Sequence, residues 1–243
     1  MEFFSRGSTC VPLANGLLVR KPCKIRADHL KFRNKTHLCS LPGGANMVSK
    51  SMSLALLRQQ TSVVHQRLEN RLQLFSNVSS MAGYGEHLQK LHECFRQAEA
   101  KVSVFASDLP LNWSERKKLP WLEQDLAALK LIPIAQENEK CPPCASVAEA
   151  MGMLYVMEGS SLGGRVISAH YGALLGLNPQ TGLRFFTGHG ESTGILWKEF
   201  LRALESLIAA DPERAGEVNR SAQRTFEFFE QILCEPIFAG VTR

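Results

Sequence analysis

From Ser53 to Cys234 apolar side chains recur at intervals of three and four, and nowhere does the chain alternate apolar and polar residues with the period of two that a strand requires. In the first such stretch Leu54, Leu57, Thr61, Val64, Leu68 and Leu72 line one side, which predicts a helix near 53–73. A second covers about 82–106, with Leu88, Leu91, Cys94, Phe95, Ala98, Val102 and Phe105 on one side, and stops at Pro110. Asn112-Trp113-Ser114-Glu115 starts a third segment, which Pro120 interrupts and Trp121 to Leu131 continues. After a loop from Pro133 to Pro143, Ser146 opens the longest helical run, to about Leu175, with Glu149 three residues on as a capping-box partner. Two further helices are expected over 192–209 and from about Pro212 to Cys234. The expected fold class is all-α, in a single domain without internal repeats.

Charge and cysteine usage narrow the function classes. Nine of the 28 Lys and Arg lie in residues 1–50 against two of the 23 acidic residues, so the rest of the chain holds 19 basic and 21 acidic groups. The basic balance therefore belongs to the leader, and the folded part gives no reason to expect a nucleic-acid surface. Residues 1–46 lack periodicity and end in the turn-like run Leu41-Pro42-Gly43-Gly44; they are read as a basic unstructured leader or upstream extension, with 47–243 as the helical domain. Such a leader is compatible with organelle targeting, but it is less Ser-rich and amphipathic than a transit peptide, and an upstream start gives the same pattern. No apolar run approaches the roughly 18 residues that span a bilayer, so no membrane partner is expected. Seven scattered cysteines suit a reducing compartment, and the cytoplasm is the expected location.

Three constellations can carry chemistry. His65 lies one helical turn from Thr61 and from Glu69, beside the apolar stripe, which predicts an inward-pointing ring. Two readings stay open: a hydrogen-bonded core histidine, or a metal ligand whose second nitrogen is organised by Glu69. In Tyr155-Val156-Met157-Glu158-Gly159-Ser160-Ser161-Leu162-Gly163-Gly164-Arg165, three interior glycines together weaken a helix by roughly 2–3 kcal/mol relative to alanine. Gly159, Gly163 and Gly164 strip side chains from one surface, where either another helix or a flat ring can approach. Ser160 and Ser161 can hold water or hydrogen-bond a bound diatomic molecule. Lys198 and Arg202 share one helix face, and with Arg58 they are either solvated or able to receive a pair of carboxylates. Cys141-Pro142-Pro143-Cys144 lacks the βαβ context of a redox pair and a second pair for structural zinc, and reads as a loop. His170 and His189 read as structural or exposed.

Taken together and in this order, these sets resemble the heme oxygenase family over roughly residues 50–235, with wording closest to the bacterial, biliverdin-producing branch. The resemblance implies heme held between a proximal and a kinked distal helix. It assigns iron ligation to His65, its support to Glu69, and propionate contacts to Arg58, Lys198 and Arg202. Gly164 would lie against the porphyrin, and Gly159, Ser160 and Gly163 would border the oxygen site. The implied reaction opens heme, at once substrate and prosthetic group, to biliverdin with release of CO and Fe2+, using O2 and electrons from a reductase or ferredoxin. The implied partners are heme, an electron-donor protein and a bacteriophytochrome receiving biliverdin. The chain departs from the animal-type pattern at Ser160, where those members carry Asp. A catalytically weak heme-binding or heme-sensing module of the same fold is the alternative that this departure leaves open.

Overall fold

The structure, a computed structural model, describes residues 45–134 and 139–235, with side chains from Leu54 onward. The leader expected over residues 1–46 lies, except for its last two positions, outside the described residues. Among the described residues every regular element is helical: α1 Ala45–Leu72, α2 Leu74–Asn77, α3 Met81–Ser103, α4 Leu119–Ala128, α5 Val147–Gly159, α6 Gly164–Leu175, α7 Arg184–Thr187, α8 Thr193–Ala210 and α9 Arg214–Cys234. Tight 3₁₀ turns occupy Trp113–Arg116, Ser160–Gly163 and Gly190–Ser192. Among the described residues no helix is long and apolar enough to cross a membrane.

The core forms where α5 lies on α9, with α1 and α3 also packed against α9. Tyr84, Phe95, Leu122, Met151, Leu154, Phe200 and Phe229 are buried within it. Close approach of α5 to α9 depends on Gly152, where a Cβ would overlap the Val218 carbonyl oxygen and sit 2.7 Å from the Ser221 Cβ. Polar contacts reinforce the seam: the Ser221 hydroxyl donates to the Glu149 carbonyl (2.6 Å), and the Ser146 hydroxyl donates to Glu217 (2.6 Å). On the other side of α9 the buried Glu230 carboxylate accepts from Arg67 (2.7 Å) and Arg71 (2.9 Å), which pins α1 two residues beyond His65.

Three local features differ from the sequence expectation. Helix α1 begins at Ala45, because periodicity marks only the residues that pack and the stripe starts at Leu54. Pro120 opens α4 instead of interrupting a helix, since its missing N–H would find no intrahelical partner in the first turn anyway. The long run from Ser146 is divided, with α5 ending at Gly159 and α6 starting at Gly164 across a 3₁₀ turn. Ser146 does cap α5 through the Glu149 N–H (3.2 Å), but the Glu149 carboxylate reaches back to the Ala145 N–H (2.8 Å) and also meets Arg224 (3.1 Å). Gly176 closes α6 in the left-handed conformation, donating its N–H to Gly172 (3.1 Å), a geometry that favours glycine.

Candidate functional site

The His65 ring does not point inward. It is about half exposed (53%), as is Glu69 (49%), because position 65 flanks the stripe of buried Leu57, Thr61 and Leu68 and half-buried Val64 instead of continuing it. Its Nε2 lies 3.6 Å from Glu69 Oε1, a contact too long for a hydrogen bond. The edge of the ring meets Phe226 of α9 at a centroid distance of 5.2 Å. The imidazole is thus steered by a buried aromatic on one side and a carboxylate on the other, with its remaining surface open.

One turn earlier Thr61 is buried, its hydroxyl donating to the Leu57 carbonyl (2.8 Å). The Tyr155 phenol of α5 lies against the Thr61 side chain and feels the Arg58 charge; burial pushes this phenol above its ordinary range, while those two neighbours draw it back. Tyr155 stands one turn before Gly159. The Thr61–Tyr155 contact is therefore a shared point, from which His65 follows one turn on along α1 and the glycine-bearing break follows one turn on along α5.

The three glycines of the break have different surroundings. At Gly164 a Cβ would overlap the carbonyl oxygen of Phe186, so α7 backbone occupies the space and helix-to-backbone packing accounts for this glycine. Neither of the other two has a neighbour that excludes a side chain. A Cβ on Gly159 would meet only the Trp197 ring at 3.9 Å, and one on Gly163 only Ile167 of the following turn at 3.7 Å. Ser160 is exposed, and its hydroxyl donates to the Met157 carbonyl (2.7 Å).

Helix α8 brings Trp197 beside Tyr155 (5.7 Å between centroids) and carries Lys198 and Arg202 on its exposed side. Helix α1 packs on α8 as well as on α9. Arg58, Lys198 and Arg202 are all exposed, and none makes an ion pair among the described residues. Three cations without carboxylate partners therefore lie on two neighbouring helices.

A buried cluster at the end of α5 was not anticipated from the sequence. Glu158 (4% exposed) accepts from Lys118 Nζ (2.8 Å) and Arg116 Nη1 (3.1 Å). Lys118 is 1% exposed, and its backbone N–H donates to Glu99 (2.6 Å), as does that of Leu119 (2.9 Å). Burial pushes the Lys118 amine below the usual lysine range, opposed by Glu158. His189 packs edge-on against Trp121 (4.7 Å) and is lowered by burial and by the Lys118 charge. The only sequence signal for this cluster was Glu158 standing next to Gly159; Arg116 and Lys118 sit in a polar segment that reads as exposed.

The Cys141 and Cys144 thiols are pushed up to about 12 and about 11, respectively, by burial, so neither is a reactive thiolate near neutral pH. His170 stacks edge-on against Phe75 at 4.6 Å, a packing role.

Residues 52–235 match the family model described as Heme oxygenase. A heme oxygenase of Xanthomonas campestris pv. campestris (strain 8004) is 31% identical over 156 residues, which is 62% of this chain and 88% of that protein. Among solved structures, the NO- and CO-bound heme oxygenase of Neisseria meningitidis superposes with a TM-score of 0.65 at 23% identity, covering 74% of this chain and 89% of that one. Heme oxygenase 2 of Chlamydomonas reinhardtii without heme gives 0.60 at 16% identity, covering 77% and 99%. The heme oxygenase of Leptospira interrogans gives 0.59 at 18% identity, covering 75% and 98%. These three share the all-α fold.

Proposed function

The chain belongs to the heme oxygenase family, and we propose that it opens heme to biliverdin with the iron held by His65 and the ring lying between α1 and the break at 160–163. The observation that carries this placement is a half-exposed imidazole at His65 together with a glycine face at Gly159 and Gly163 that no neighbour excludes. The donor set suits the ligand: an imidazole nitrogen for iron, a surface free of side chains at Gly159 and Gly163 for the ring, and three cations without an ion pair among the described residues for two propionates.

Bound heme supplies the oxygen-activating iron and is itself the carbon framework that is cleaved, with release of CO and Fe2+. His65 would contribute one ring nitrogen to the iron and turn the other toward Glu69, which, on closing in from 3.6 Å, would fix its tautomer and the angle of the ring. Phe226 limits rotation of that imidazole. Arg58, Lys198 and Arg202 would receive the propionates and so set the in-plane orientation of heme. Gly159 and Gly163 leave room for the ring and a diatomic molecule, and Ser160 offers an oxygen that can order water there. Gly164 serves by seating α7. Electrons would come from a reductase or ferredoxin, and a bacteriophytochrome would be a fitting acceptor for biliverdin. The scattered, odd set of seven cysteines suits action in the reducing cytoplasm.

Hemin titration of the apoprotein, followed by anaerobic reduction and admission of O2, tests this reading: a Soret band and then biliverdin are expected. His65→Ala should keep the helical fold, since its side chain is half exposed, but lose the axial histidine seen by resonance Raman. Unchanged ligation with wild-type conversion in that variant would remove His65 from the iron.

A further inference from the structure

The Met157 carbonyl oxygen, at the point where α5 tightens into the 3₁₀ turn, receives two side-chain donors. Lys118 Nζ lies 2.9 Å away and Ser160 Oγ 2.7 Å away. In an uninterrupted α-helix this oxygen would instead accept the N–H of Ser161. A carbonyl has two lone pairs, and here both are engaged by side chains. The tighter turn has a directional consequence, because 3.0 residues per turn in place of 3.6 rotates successive side chains by about 20° each, or roughly 80° over the four residues Ser160–Gly163.

The second consequence concerns the proton of Ser160. A hydroxyl carries one hydrogen, and that of Ser160 is committed to the Met157 oxygen, so the exposed side of Ser160 Oγ presents only lone pairs. That is what a carboxylate oxygen presents. A water donating one proton to such an acceptor keeps its other proton free to donate elsewhere.

Resting on the heme placement given above, we propose that Lys118 is a positioning residue which, through the Met157 carbonyl, holds the distal turn in 3₁₀ form and keeps Ser160 an acceptor-only hydroxyl toward the oxygen site. Lys118 does not itself face heme; it is enclosed with Glu158, Arg116 and Glu99.

Lys118→Met is the informative variant, because Arg116 still pairs with Glu158 and no buried anion is stranded, whereas Glu158→Gln would take the carboxylate from the buried Lys118 and leave Arg116 only the more distant Glu199 at 3.6 Å. With the ammonium gone, the Ser161 N–H can reclaim the Met157 oxygen and the turn can relax toward α. The C–O stretch of the ferrous CO complex of the full chain reports polarity at the oxygen site. It is expected to shift in the same direction in Ser160→Ala and Lys118→Met, and the double variant should shift no further than Ser160→Ala alone. A shift in Ser160→Ala with a wild-type stretch in Lys118→Met would overturn the role of Lys118 while leaving the heme placement intact. No shift in either would overturn the placement of Ser160 as well. A measurement on the wild-type apoprotein is independent of whether Lys118→Met folds: scalar coupling between Lys118 Nζ and the Met157 carbonyl carbon is expected, and its absence would overturn the proposal.

Discussion

Gly163 and Gly164 are adjacent, yet alanine at the two positions should move stability in opposite directions. At 164 the added Cβ overlaps the Phe186 carbonyl oxygen. That backbone cannot easily retreat, because the N–H groups of Arg184 and Phe185 are both held by the buried Asp125 carboxylate at 2.7 and 2.8 Å. Overpacking costs about 1–3 kcal/mol, and a rigid backbone neighbour points to the top of that range. Helix propensity returns up to about 1 kcal/mol, which leaves Gly164→Ala destabilised by about 2 kcal/mol. For a chain of this size that lowers Tm by roughly 4–8 °C. At 163 the nearest atom is Ile167 Cδ1 at 3.7 Å, ordinary contact, so Gly163→Ala should hold or raise apoprotein Tm by up to about 4 °C. Thermal unfolding of both apoproteins by circular dichroism checks the signs. Hemin uptake should then separate the roles, with Gly163→Leu losing O2 turnover through occlusion of the space assigned to the ring. Equal shifts of the same sign in the two alanine variants would refute the packing argument, and wild-type turnover in Gly163→Leu would return that glycine to helix packing.

His87 is buried against Phe186 and its pKa is pushed down to about 4, chiefly by burial and then by the Lys90 charge. Below an unfolded value near 6.5 the unfolded chain binds a proton that the folded state refuses, so stability is full above that pH and falls by about 3 kcal/mol on reaching pH 4. Urea titrations across this range should show the loss, and His87→Leu should flatten it; an unchanged slope in the variant would refute the assignment. Lys198→Ala/Arg202→Ala should still bind hemin through His65 but release a changed mixture of biliverdin isomers, because charged contacts of about 1.5–3 kcal/mol are large against the 1.4 kcal/mol that changes a population ratio tenfold. Chromatography of the products decides, and an unaltered mixture there and in Arg58→Ala would return these residues to the solvated face. Ser146→Ala removes both the α5 cap and the bond to Glu217, and should cost about 1 kcal/mol in chemical denaturation; no loss would show that Glu149 caps the helix alone.

The helical class was legible because apolar spacing records which face of each element is buried, and the stripe from Leu54 to Leu72 does this wherever the helix begins. The motif residues were legible for another reason: His65 and the glycines are costly or unusual in a helix and so stand out locally. Their surroundings were not. Periodicity placed His65 inward, but whether a flanking residue is covered depends on Phe226 from α9, more than 150 positions away. Three glycines looked equivalent, yet only the arrival of α7 beside Gly164 separates packing from open space. The largest omission was the Glu158 cluster, since Arg116 and Lys118 have the composition of a solvated turn. A charge becomes a buried structural group only when a partner from a distant segment meets it, and no local pattern encodes that meeting. The sequence by itself determined the helices and nominated the chemistry; the tertiary structure alone decided which faces stay open and which charges are enclosed, because burial is a property of the assembled neighbours and not of the residue.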